Sequence, residues 1–519
     1  MGRYPSSVER IWPRADEAMA NTPRGGLITE RVVETEHTDA PGHTRFIQAE
    51  GPFQQYERTV DVQPDRVVDT IRYRLVIPWF GWLFRWPVRT WLRRRTVGSA
   101  SPPAWAPPDR LNADQVLVLG LLAAASMSAA FVNTLFTQTV NFAAAEFGIS
   151  EQGQGIAGVV VRCGIVIALP FTLFADRVGR RRMIVLLAWL APTCAALGAL
   201  APSFWVLTAS QTVGRPLGIA LDLLIAVVAA EVMPRNSRAY AVSVLAMAAG
   251  LGAGLAVISL PLADLGTRGW RLVYVVALVW LLVALDLTRR LAETDRFRRA
   301  HAARHDVSGA VVPVALPWRR LAIIATVAFS ANLFVASASY FQNRYLHNVR
   351  GYSGAGIAAF TLTTATPASL GFVIGGRIAD TTGRRRLLAT TMPIATTMLV
   401  LSFCVGGPLM WLSAFLAGLL GGISYPAFSV YRTELFPTTR RGQAGGLLTA
   451  AALLGGSIGL LIAGRLLHDG WSYGAVMALL ALGQVVAATV VWFTYPETAH
   501  RTLEELNPAD AAHGEAPGE

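Results

Sequence analysis

Three ionisable side chains stand inside long apolar runs, and they are the residues best placed to do chemistry: Arg162, Arg215 and Asp222. Arg162 precedes Asp176, the first charge beyond its run, by 14 residues, about 21 Å along a helix at roughly 1.5 Å per residue. Arg215 and Asp222 precede Glu231 by 16 and nine residues, about 24 Å and 13.5 Å by the same rise. A charge at mid-bilayer costs at least about 2.5–3.5 kcal/mol, so each must face a partner or a wet cavity. Arg215 and Asp222 share one helical face, about 10 Å apart along the axis. A third group, a water or a substrate would have to bridge them. Two arginines against one aspartate leave a positive site that favours an anion, and a carboxylate there could carry a proton. Structural roles compete: Arg162 capping carbonyls, Asp222 as a fixed salt-bridge partner. Asn133, Gln138 and Asn141, then Asn332 and Tyr340, then Tyr425, are further polar candidates for a cavity wall, although isolated polar residues often only bond between helices.

A second constellation is repeated. Ala175-Asp176-Arg177-Val178-Gly179-Arg180-Arg181-Arg182 returns 204 residues later as Ala379-Asp380-Thr381-Thr382-Gly383-Arg384-Arg385-Arg386. Glu231-Val232-Met233-Pro234 with Arg238 returns at an offset of 203 as Glu434-Leu435-Phe436-Pro437 with Arg441. Two motifs at one offset mean two similar halves. An aspartate at a helix end followed by arginines can clamp neighbouring helix ends, because the guanidinium fork holds carboxylates and caps free carbonyls. Plain arginine anchoring at the membrane surface is the simpler alternative.

The elements that must position these residues are membrane helices. Of 519 residues, 53% are hydrophobic and 15% charged, and the mean hydropathy is +0.43. A soluble chain carries roughly 25% charged residues, so soluble, coiled-coil and disordered classes are excluded. Twelve apolar runs are long enough to cross about 30 Å of hydrocarbon: 116–141, 153–174, 183–201, 204–230, 240–262, 270–288, 320–342, 354–377, 387–405, 408–433, 442–464 and 472–495. The loops after the even-numbered spans, with the adjoining span ends, hold 21 arginines and the opposite loops about five; 16 more precede span 1. The positive-inside rule then puts the arginine-rich loops and both termini in the cytoplasm. All 45 basic residues are arginine, which suits a GC-rich gene, so the net charge of +12 is no argument for nucleic-acid binding. The cysteines, Cys163, Cys194 and Cys404, lie in apolar runs and support neither disulfides nor a metal cluster. No apolar segment suited to a signal peptide occurs in the first thirty residues.

On these motifs the chain resembles the major facilitator superfamily over residues 113 to 500. The second copy of the loop motif fits G-x-x-x-D-R/K-x-G-R-R/K-R/K from Gly376, without the basic residue after Asp380; the first has Thr172 in place of its glycine. Tyr431-Arg432-Thr433-Glu434-Leu435-Phe436-Pro437-Thr438, Gly269-Trp270-Arg271, Pro496-Glu497-Thr498 and Thr502-Leu503-Glu504-Glu505-Leu506 resemble the sugar-porter and organic-acid symporter branches. The likeness implies an all-α membrane fold of two six-helix halves, 113–288 and 320–497, joined by a cytoplasmic linker, 289–319. It implies gating roles for Asp176, Arg177, Gly179, Arg180, Arg181, Glu231 and Arg238, and for Gly376, Asp380, Gly383, Arg384, Arg385, Glu434 and Arg441. Each branch also lacks a mark: span 1 has no carboxylate, span 7 no paired glutamines, span 5 no Gly-Pro pair. The family arginine of span 4 falls where this chain has Gln211.

The expectation is a monomeric secondary transporter of a small organic anion in the cytoplasmic membrane, proton-coupled, with no cofactor. Drug/proton antiport, a non-transporting sensor and, last, a membrane enzyme compete. No G-x-x-x-x-G-K-S/T loop supports ATP hydrolysis. Residues 1–112 form a polar cytoplasmic tail and 498–519 a second one. Residues 1–50 read as disordered, Arg58–Val62 as a strand and Pro64–Leu75 as a helix. Within 56–95, tryptophans mixed with arginines suit a segment on an anionic membrane surface or a small folded domain.

Overall fold

The structure, a computed structural model, describes residues 6–33, 43–94, 103, 105–107, 109–234, 237–293, 316–368, 371, 374–375, 378–379, 383–436 and 441–498. Ten of its helices are long and apolar enough to span a membrane among these residues. Span 1 is Ala113–Phe147, span 3 Arg180–Leu200, span 4 Phe204–Val232, span 5 Arg238–Ile258 and span 6 Trp270–Arg290. Span 7 is Trp318–Arg344, span 9 Arg384–Cys404, span 10 Gly407–Glu434, span 11 Arg441–His468 and span 12 Tyr473–Thr494. Span 2 is broken: Glu151–Cys163, a tight turn over Gly164–Ile167, then Ala168–Val178. Span 8 begins with Gly354–Ala365. These two complete the twelve.

Local chemistry sets the helix starts. Asn112 and Gln115 form a reciprocal capping box at span 1. Ser150, Ser203, Ser353 and Ser472 cap spans 2, 4, 8 and 12, each accepting a bond from a first-turn amide that has no helical partner. All four lie at the end opposite the arginine-rich loops. Ser150 and Ser353 are 203 residues apart, so the repeat extends to the caps.

The N-terminal region differs from the reading of its sequence. Residues taken as disordered contain strands β1 (Ser6–Pro13), β2 (Thr29–Val32) and β3 (His43–Glu50). With β4 (Phe53–Val62) and β5 (Arg66–Leu75) they make an antiparallel sheet of order β1-β5-β4-β3-β2. The expected helix at Pro64–Leu75 is thus a strand. Val67, Asp69, Ile71 and Tyr73 are buried at every second position, the two-residue period of a strand with one covered face. Asp69 broke the apolar alternation and hid it. The acid is held there by Arg10 and by Arg58, whose Nε lies 3.1 Å from Asp69 Oδ1. Arg58 also reaches Glu30 at 2.7 Å, and Tyr56 donates to Glu30 at 2.5 Å. Burial brings the Arg10 guanidinium down to about 10, despite Asp69, and pushes the Tyr56 phenol well up.

Helix α1 (Glu17–Ala20) and helix α2 (Gly81–Arg93) complete this domain. Val88, Trp91 and Leu92 bury one face of α2 on the sheet. Arg24 stacks on Trp91 and donates to the carbonyls of Leu92 and Arg94, which closes the C-terminal end of α2. The domain is tied to the first half: Trp79 Nε1 donates to Asp286 in span 6 at 3.1 Å, and Tyr240 in span 5 donates to the carbonyl of Trp105 at 3.2 Å.

Candidate functional site

The two deep arginines converge where the halves meet. Span 4 carries Arg215 and packs on span 2 so closely that a Cβ on Gly164 would lie 2.3 Å from the carbonyl oxygen of Thr212. Arg162 crosses to the other half: a Cβ on Gly456 of span 11 would lie 2.8 Å from its Nη1. Tyr340 of span 7 is buried, stacks near Phe136 of span 1, and donates to the carbonyl of Gln154 in span 2 at 2.9 Å. Arg162, Arg215 and Tyr340 lie within electrostatic reach of one another. Neither arginine forms a salt bridge among the described residues, and the Nε atoms of both are buried without a hydrogen-bond partner. Two guanidiniums within electrostatic reach, each with its Nε withdrawn from water, repel each other. An anion between them would remove both costs.

Asp222 is not bonded to either arginine. It is exposed and accepts from Ser126 of span 1 at 2.9 Å, closer to the arginine-rich end than Arg215. Asn133 lies between the two levels, where a Cβ on Gly218 would approach its Oδ1 to 2.8 Å. Asn141 is buried, and neither of its side-chain polar atoms has a partner among the described residues. Tyr425 is 57% exposed in span 10. Asn332 only bonds the carbonyl of Ala328 in its own helix. Gln211 faces span 3, donating to the carbonyl of Ala195 at 3.2 Å, so it links helices.

Gln138 is bonded across to the second half. Asn343 of span 7 donates to its carbonyl at 2.9 Å and to its Oε1 at 2.7 Å. Beside this pair, Arg344 meets Glu151 at 2.9 Å. Asp264 accepts from the amides of Gly354 and Ala355 at 2.6 and 3.0 Å, so an acid of the first half caps span 8 of the second. These bonds close the halves together at the end opposite the arginine-rich loops. At the arginine-rich end of span 11, Gly445 and Gly446 face open space and Leu447 is exposed. Sequence reading missed Asn343, Arg344, Glu151 and Asp264, since nothing local marks a contact between halves.

The repeated loops show what their glycines and arginines do. Gly179 and Gly383 adopt φ of 115° and 101°, which only glycine takes without strain. Each is followed by a helix whose first amides need partners. In the first half Glu293 accepts from the amide of Arg181, 3.2 Å to each oxygen, and Arg181 itself reaches the carbonyls of Leu291 and Thr288. In the second half Glu497 accepts from the amides of Arg384 and Arg385 at 2.9 and 3.2 Å, and Arg384 donates to Thr498. Glu293 stands 204 residues before Glu497; that offset could have found it. Gly376, Asp380 and the side chains of Asp176, Arg177, Glu231, Arg238, Glu434 and Arg441 lie outside the described residues.

The Major Facilitator Superfamily profile matches residues 120–406 and 355–513. The chain belongs to this superfamily. As a Major Facilitator Superfamily protein it is a multi-pass membrane transporter that binds small molecules, not an enzyme. It is 27% identical over 365 residues to the cis,cis-muconate transport protein of Acinetobacter baylyi, covering 64% of this chain and 83% of that one. It is 31% identical over 164 residues to putative polyol transporter 2 of Arabidopsis thaliana, of which it covers only 31%. Among solved structures, the inward-open xylose transporter XylE of E. coli superposes with a TM-score of 0.62 at 17% identity, over 76% of this chain and 99% of that one. A structure of a D-xylose–proton symporter superposes at 0.61.

Proposed function

We propose that this transporter carries a small organic anion with one or two carboxylates across the cytoplasmic membrane by alternating access, coupled to protons. The observation that carries the reading is the pair Arg162 and Arg215, half-buried, with buried Nε atoms that lack a partner, within electrostatic reach of Tyr340. Two guanidiniums suit a dianion, each fork taking one carboxylate, and the relative named for muconate transport handles such a dicarboxylate. Asp222, exposed on the open side beside Ser126, is the proton carrier in this reading. The excess of arginine in one set of loops supports a cytoplasmic side for that set and for both termini. The halves then stand closed to the outside and open to the cytoplasm, one of the two states through which a central site alternates. The protein acts as a monomer.

Uptake of labelled dicarboxylates into proteoliposomes under an imposed pH gradient tests this. Uptake that is accelerated by an inward proton gradient and lost in Arg215→Ala is expected. Uptake of cationic drugs alone, lost in Asp222→Asn, would replace the reading with drug/proton exchange.

A further inference from the structure

We propose that the cavity between the N-terminal domain and spans 1 and 5 is a binding site for an anionic phospholipid, separate from the transport path. It has a volume of about 460 Å³, within the range of about 300–1,000 Å³ common to ligand pockets. Its walls are apolar on both sides: Leu75, Phe84 and Val88 from the domain, Leu119 of span 1, Val244 and Met247 of span 5. Met247 is 69% exposed, so the cavity opens along span 5. An acyl chain suits such a lining, whose charged residues, Asp109 and Arg110, are neighbours in sequence and leave the rest of the wall apolar. Arg110 stands at the wall and is exposed.

Helix α2 supplies the second, independent observation. Phe84 and Val88, four residues apart, turn one face to the cavity. The opposite face carries Trp82, Arg85, Trp86, Arg89 and Arg93, all exposed, at helical spacing. Trp82 and Trp86 are 70% and 76% exposed, unusual for the largest apolar side chain unless something covers it. No acid occurs in the helix. The depth is right for headgroups: Pro78, just before α2, packs on Gly120, where a Cβ would meet it at 2.5 Å. Gly120 lies seven residues into span 1, about 10 Å along its axis. Tryptophan and arginine at the edge of the hydrocarbon, on a helix without an acid, match an anionic lipid surface. Together the helix holds the headgroup and the cavity takes a chain.

Photo-crosslinking of the purified full chain tests the site. Phosphatidylglycerol and phosphatidylcholine carrying a diazirine midway along the same acyl chain are supplied in turn, and labelled peptides are mapped. Labelling within 80–88 or 244–251, several-fold stronger from phosphatidylglycerol, is expected. The combined variant Arg85→Gln, Arg89→Gln, Arg93→Gln alters only exposed positions and should abolish the preference while leaving thermal unfolding unchanged. Ala248→Trp, which fills the cavity, should remove the label from both segments. Absence of label there, equal label from the two lipids, or label unaffected by the triple variant would overturn the proposal. So would labelling by a diazirine fatty acid when neither phospholipid labels, since the site would then be one for free fatty acids.

Discussion

Glu293 and Glu497 play matching parts in the two halves: behind a left-handed glycine, Glu293 accepts from the amide of Arg181, and Glu497 from those of Arg384 and Arg385. Each closes a corner between the last span of its half and the third. A carboxylate at a helix N-terminus contributes about 0.3–1 kcal/mol through the dipole, and its hydrogen bonds add roughly 1.5–3 kcal/mol.

Glu497→Ala should therefore lower the thermal stability of the second half by about 2 kcal/mol, and Glu497→Gln by less. Gly383→Ala should be worse than either, because it strains φ and drives a Cβ to 2.7 Å from Glu497 Oε2. Thermal unfolding in detergent ranks the three; a Gly383→Ala protein as stable as wild type would contradict the assignment.

The gate opposite the arginine-rich loops should be lockable. The double variant Gln138→Cys, Asn343→Cys joins side chains that now touch at 2.7 Å. Oxidation is expected to stop transport and reduction to restore it. Unchanged flux in the oxidised protein would show that this end need not open.

The buried charge network of the N-terminal domain gives a stability prediction. Arg58→Ala leaves Glu30 and Asp69, both fully buried, without their shared cation, a loss of about 3–5 kcal/mol. The domain should unfold first on heating, followed by tryptophan fluorescence.

Tyr56 gives an alkaline prediction. Its phenol is raised in the fold by burial and by Glu30, so its contribution is complete below its ordinary value near 10 and is lost as pH climbs above it. Arg10, lowered to about 10, acts in the opposite sense over the same window. Tyr56→Phe should make stability fall less steeply above pH 10, at a cost below it from the lost bond to Glu30. Denaturant midpoints at successive pH values measure both.

Transport should divide the deep residues by role. Arg162→Ala and Arg215→Ala should abolish anion uptake, whereas Asp222→Asn should preserve binding and remove the response to a pH gradient. Binding can be read as thermal stabilisation: a ligand at a hundred times its Kd adds about 2.7 kcal/mol. Retained proton dependence in Asp222→Asn would move the coupling role elsewhere.

The membrane fold was legible because its signals are long: apolar runs, an arginine bias and a motif repeated at one offset. Arg162 and Arg215 were legible because a charge in hydrocarbon is expensive. Their meeting with Tyr340 was not, since it depends on how one half lies on the other. Of the five-stranded sheet only Arg58–Val62 reads as a strand, and the rest is hidden for a physical reason. Its buried face holds Arg10, Arg58 and Asp69, so the alternation that marks a strand is disguised by charges that satisfy one another only after folding. Gln138 looked like a cavity residue from its position in span 1; its partner Asn343 is 205 residues away.

Among the described residues the N-terminal domain is tied to spans 1, 5 and 6 of the first half. In the alternating cycle proposed above it would ride with that half as a pointer, turning a small rotation at the centre into a larger sweep at its tip. A dye on β2 and another on the loop before span 12 would report single turnovers as jumps in energy transfer.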